Sequence, residues 1–78
     1  MAVMKAARAW AVAYDPSGLI EMSEEYDAEA LAFLNEHLAK GDFQVLSQDT
    51  QGYEGDLVID FPISGGESYR ALVLLEKP

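Results

Sequence analysis

The stretch Ala9-Trp10-Ala11-Val12-Ala13-Tyr14-Asp15-Pro16-Ser17-Gly18-Leu19-Ile20-Glu21-Met22 decides the fold. Its first half alternates large (Trp10, Val12, Tyr14) with small (Ala9, Ala11, Ala13), the period of two that a strand requires, although so much alanine also suits a helix. The turn that follows settles the choice. Asp15, Pro16 and Gly18 occupy positions i, i+1 and i+3 of a type I turn, which joins the run to Leu19-Ile20-Glu21-Met22 as a hairpin.

Downstream, Asp27 is placed to cap a helix, Glu29 complements the dipole in its first turn, Lys40 sits in its last turn and Gly41 takes the left-handed C-terminal cap. Leu31, Leu34 and Leu38, with Ala30 and Phe33, recur at helical spacing and form the apolar stripe. Glu24, Glu25, Glu29 and Glu36 are then expected to face mostly solvent. Phe43 to Ser47 reads as a third strand and Asp49 to Gly55 as a polar, glycine-containing loop. In a fourth strand Leu57, Ile59 and Phe61 share one face, and Glu54, Asp56, Val58 and Asp60 share the other. Pro62 ends or edges that strand, and Ser64-Gly65-Gly66 turns the chain. Tyr69 to Leu75 is apolar on both faces, as a central strand is. The expected fold is α+β: a five-stranded, mostly antiparallel sheet with one α-helix packed on one face, in the order β-β-α-β-β-β.

The 78 residues fit a single domain, 1–78, with one modest core, and an internal cavity of about 300 Å³ or more is not expected of so short a chain. Function is expected on the surface or at an interface. Without cysteine there is no disulfide framework and no thiolate metal site, which points to a reducing, cytoplasmic setting. The opening MAVMKAARAWAVAY has the outline of a secretory leader, but Arg8 leaves only Ala9 to Tyr14 as its apolar run, so it reads as folded structure. No run reaches the ~18 apolar residues that span a bilayer. The net charge of −9 disfavours anionic lipid, DNA and RNA as direct ligands. Between Asp15 and Glu67 the acids number 13 against the single base Lys40, giving −12, while the two ends offset this by +3.

That acidity is the feature furthest from average. Glu54, Asp56 and Asp60, spaced along one strand face, are candidates to imitate a row of phosphates, with Glu24, Glu25 and Glu29 near the helix start as a second acidic cluster. A solvated face that keeps a small protein soluble is the plainer reading of the same residues. Among Trp10, Tyr14, Tyr26, Tyr53 and Tyr69, which have the chemistry of interface anchors, Trp10 is expected in the core and Tyr53, beside Glu54 on a loop, is the better anchor. The loop Asp49 to Asp56 carries oxygen ligands and glycines but lacks the calcium-loop spacing. His37, the only histidine, is too few for a zinc or iron centre and is expected at the edge of the helix stripe. No serine sits in a Gly-x-Ser-x-Gly turn, and Gly65-Gly66 belongs to no phosphate-loop pattern. No catalytic residue, cofactor or metal ligand is assigned.

A short, cysteine-free, acidic chain without catalytic motifs resembles, in size and charge, the small inhibitors that phages and mobile elements encode against host defence, anti-CRISPR proteins and DNA mimics among them. The resemblance rests on no alignable motif and carries no residue over. It implies function by occupation: an acidic face docks on the basic surface of a nucleic-acid-binding enzyme or CRISPR surveillance complex and excludes DNA. The alternative expectation is a small oligomeric structural or regulatory domain, paired through a sheet edge or the alanine face of the first strand, with acidity serving solubility. An enzyme formed at a subunit interface is a third class.

Overall fold

Asp15 builds the first turn much as its position implies. In the computed structural model, which describes residues 4–77, its Oδ1 accepts from the Ser17 and Leu19 backbone N–H groups, each at 2.9 Å, and from Ser17 Oγ at 2.7 Å. The leader-like opening starts in residues 1–3, outside the described residues; from Ala6 it is strand. The elements are β1 (Ala6–Tyr14), β2 (Ile20–Glu25), α1 (Ala28–Lys40), β3 (Gln44–Ser47), β4 (Leu57–Pro62) and β5 (Ser68–Leu75), with a short 3-10 turn at Ser64–Gly66. All pairings are antiparallel and the strand order is β2-β1-β5-β4-β3. The fold is α+β, with the expected order of strands and helix.

Helix α1 is framed by the expected caps. Asp27 accepts from the Ala30 N–H at 2.8 Å, and Gly41 adopts φ 72°, a left-handed conformation that glycine takes without a Cβ clash. Leu34 and Leu38 pack on one sheet face against Ala6, Ala9, Ile59, Phe61, Ala71 and Val73. The alanines explain the close seat, because small side chains at the sheet centre leave room for leucines above. Asn35 then stands in for a strand where β2 no longer covers β1: its Oδ1 accepts from Ala6 N–H at 2.7 Å and its Nδ2 donates to Ala6 C=O at 3.2 Å.

The other sheet face is also a core. Trp10, Val12, Ile20, Val58 and Leu72 are buried there, with Tyr14, Met22 and Leu74 packed against them. Period-two alternation places Val58 in the polar row of β4, yet it is fully buried. Its cover is the β3–β4 loop, which leaves one edge of the sheet and fastens on the other. Gln51 Oε1 accepts from Ile20 N–H at 2.7 Å, and its Nε2 donates to Gly18 C=O at 2.9 Å. No helix among the described residues is long and apolar enough to cross a membrane.

Candidate functional site

Strands β1 and β5 are paired from Ala6↔Leu75 to Ala11↔Ala71, where their register ends. Beyond that point Val12, Ala13 and Tyr14 pair with β2, and Ser68, Tyr69 and Arg70 pair with β4. The two hairpins therefore part at this end of the sheet. Antiparallel strands turn the backbone groups of successive residues to alternate sides. The Ala9 carbonyl accepts from Tyr26, away from β5, and the Val73 carbonyl accepts from Asp56, away from β1. Tyr14 and Ser68 consequently turn their backbone polar groups into the split. Two buried side-chain atoms without a hydrogen-bond partner among the described residues, Tyr14 Oη and Arg70 Nε, belong to the same two lips. On the loop-covered face the Arg70 guanidinium lies 5.3 Å from the Tyr14 ring centroid.

At the split lies an open groove of about 590 Å³, whose lining draws on both sheet faces. It is a surface groove. Ala11 and Tyr69 line it from the lips, and Tyr26, Ala30 and Phe33 line it from the helix side. Tyr69 remains 52% exposed and Phe33 42%, so both rings are offered to an approaching molecule. They are held in place through Phe61, whose centroid lies 6.1 Å from Phe33 and 5.9 Å from Tyr69, the latter edge-on. Burial pushes the Tyr26 hydroxyl up to about 12, with Tyr69 adding repulsion, so Tyr26 is a neutral donor at neutral pH.

The charged lining is mainly acidic: Glu24, Glu25, Asp27 and Asp60 against the single cation Arg70. Of the five Lys and Arg side chains, Lys5 pairs with Glu76, Arg8 with Glu25 and Glu54, and Lys77 with Asp56. Arg70 rests on Tyr14, and Lys40 sits in the last turn of α1. Glu24, Asp27 and Asp60 form no ion pair among the described residues; Asp27 is engaged as the helix N-cap, and Asp60 stands beside Arg70 in the β4–β5 register, on the loop-covered face with Val58.

The residues singled out from sequence thus fall into two groups. Glu54 and Glu25 converge on Arg8, at 3.3 Å and 2.8 Å. Asp56 accepts from Leu75 N–H at 2.8 Å and from Lys77 Nζ at 2.7 Å, tying the chain after β5 to the start of β4. Those three carboxylates are engaged by cations of the chain itself. Tyr53 lies in the loop over the second core, half-exposed, with its hydroxyl 3.5 Å from Ile20 C=O. Asp60 and Glu24 line the groove, with Glu24 on β2 instead of at the helix start, while Glu29 is exposed in the first turn of α1. Tyr26 and Tyr69 were visible in sequence only as possible anchors, and Phe33 only as part of the helix stripe, because nothing local marks where two neighbouring strands separate. His37 packs where expected, its ring 4.8 Å from Phe33 and 5.0 Å from Phe61.

No family model, no curated protein and no solved structure matches the chain.

Proposed function

We propose that this protein is a non-enzymatic acidic binding protein that docks on the basic surface of a nucleic-acid-handling partner and blocks it, an anti-CRISPR-type inhibitor working in the host cytoplasm. The observation that carries the reading is the groove at the β1–β5 split, where Tyr69 and Phe33 stand exposed in a lining whose charged residues are mainly acidic. Exposed aromatics supply contact area, and carboxylates steer a basic partner and repel its nucleic acid. A net charge of −9 extends the steering beyond the groove. The test is displacement of labelled duplex DNA from a panel of purified CRISPR surveillance complexes. Dose-dependent displacement from one member supports the reading, and retention of DNA by all of them, with no complex bound by the protein, counts against it.

The edge strand β3 favours a second reading, the oligomeric domain. Val45 is 48% and Leu46 39% exposed on an outer strand paired only with β4, a template for strand-to-strand pairing with a second copy. Light scattering separates the two: a stable dimer lost in Val45→Lys supports this reading, and a monomer at high concentration removes it.

A further inference from the structure

The sheet has two outer strands, β2 and β3, and their edges are built differently. On β2 the Leu19 C=O accepts from Asp15 N–H, towards β1, so by alternation Ile20 turns its backbone groups outward. Side chains of the β3–β4 loop meet them there. Gln51 Oε1 accepts from the Ile20 N–H at 2.7 Å, Tyr53 Oη stands 3.5 Å from the Ile20 C=O, and Gln51 Nε2 donates to the neighbouring Gly18 C=O at 2.9 Å. The register then slips between Met22 and Glu25, and Glu21, Glu24 and Glu25 stand exposed along the strand. Occupied backbone groups, a bulge and a row of like charges all keep a strand edge from pairing.

Of these devices β3 has only a bulge, between Val45 and Ser47. Ile63 N–H donates to Glu67 C=O, on the β5 side, so Asp60 turns to β3, Gln44 opposite it turns to β4, and Val45 turns its N–H and C=O outward. No side chain among the described residues takes them, in contrast to Ile20. The run Phe43-Gln44-Val45-Leu46-Ser47-Gln48 has neither charge nor proline, and Val45 and Leu46 are exposed on it. Such an edge has no charge with which to select a charged strand; its complement is an uncharged strand already held extended. A second copy presents one in its own β3, at no further cost in ordering. We propose that two copies join their β3 strands antiparallel about a two-fold axis at Val45, each Val45 N–H donating to the C=O of the other, and that the shut β2 edge ends assembly at the dimer. The same surface meets itself across such an axis, so the contact closes; growth into a chain of copies would need β3 to pair with β2. This inference rests on the oligomeric reading and adds its register and its limit.

The chain has no cysteine, so Val45→Cys places a single thiol at the axis, where directly opposed Cα atoms lie about 5.5 Å apart, within disulfide reach. Air oxidation of the full chain is expected to yield covalent dimer about fivefold faster, or more, for Val45→Cys than for Ser23→Cys, an exposed position on β2. Sedimentation of the wild type is expected to show monomer and dimer only. Val45→Lys should weaken the dimer about tenfold, and the charge-matched Ser23→Lys should leave it in place. Because each copy carries −9, added salt should tighten the dimer, the opposite of its effect on docking to a basic partner. Equal cross-linking at the two positions, species that grow past the dimer with concentration, or a dimer that survives Val45→Lys overturns the inference and leaves the oligomeric reading standing. Monomer at every concentration and salt removes both.

Discussion

Gly55 lies directly against Leu72: a Cβ built at Gly55 would stand 2.9 Å from Leu72 Cδ1 and 3.0 Å from its Cγ. Leu72 is fully buried in the second core, between Trp10 and Val58, and has little room to yield. The close approach lets the β3–β4 loop come down on the sheet, so one glycine helps determine whether that face is sealed.

Gly55→Ala is therefore expected to destabilise the protein by ~1–3 kcal/mol through overpacking. Leu72→Ala is expected to cost ~2–5 kcal/mol by opening a cavity. Because each change relieves the other's fault, the double variant should lose less than the sum. Urea denaturation of the four proteins measures this, and strict additivity would show that the loop does not press on Leu72.

The loop's far anchor is Gln51, whose side-chain amide joins Ile20 and Gly18 while its own backbone holds φ 56°. Gln51→Gly removes both hydrogen bonds without imposing backbone strain, since glycine accepts a positive φ. The expected loss is ~1–2 kcal/mol, about one per hydrogen bond. Hydrogen exchange reports the change locally: the Ile20 amide should exchange about tenfold faster or more. Unchanged protection at Ile20 would remove the latch.

Acid should weaken the fold in a way that Asp56 helps to set. The hydrogen bond from Lys77 and then that from Leu75 N–H hold its carboxyl below the ordinary 3.8. Asp15 is held down by Ser17 and Leu19, and Glu25 by Arg8. A carboxyl with a lower folded value binds its proton more tightly when unfolded, so its contribution is complete above the unfolded value and disappears as pH falls through the folded one. Urea midpoints are expected to decline below about pH 4. Asp56→Asn should lower stability at neutral pH and make that acid decline shallower; an identical acid slope would dissociate Asp56 from it.

At the alkaline end Tyr26 should ionise late. Its hydroxyl, pushed up to about 12 by burial and secondarily by Tyr69, stays neutral after an ordinary phenol near 10 has ionised. Stability is lost as pH rises between those values, because the unfolded chain releases the proton first. Phenolate absorbance should show a late step that is absent in Tyr26→Phe and slightly earlier in Tyr69→Phe. Loss of the late step in neither variant would contradict the placement of Tyr26.

Local chemistry made much of this fold legible. Asp15 to Gly18 announced the hairpin, Asp27 and Gly41 the helix ends, and the two-sided apolar run of β5 its central position, though not that its neighbours are β1 and β4. Val58 was misleading for a physical reason. Alternation reports which face a residue occupies, but whether that face meets water depends here on a loop reaching from the β3 edge to Gln51's partners at Gly18 and Ile20. The roles of Glu54 and Asp56 were hidden similarly, since Arg8 and Lys77 are distant in sequence. Asp60 and Glu24 were chosen for charge alone. The groove that they line follows from the parting of β1 and β5, which no periodicity encodes.

The most direct test of the docking account is a capture experiment from candidate host lysate, eluted by stepwise salt and identified by mass spectrometry, with wild type run beside Glu24→Lys/Asp60→Lys. The account predicts that wild type retains a CRISPR or other DNA-handling complex, released by salt and by competing DNA, and that the charge-reversed protein does not retain it. Recovery of the protein alone, or equal capture by the reversed variant, would contradict it.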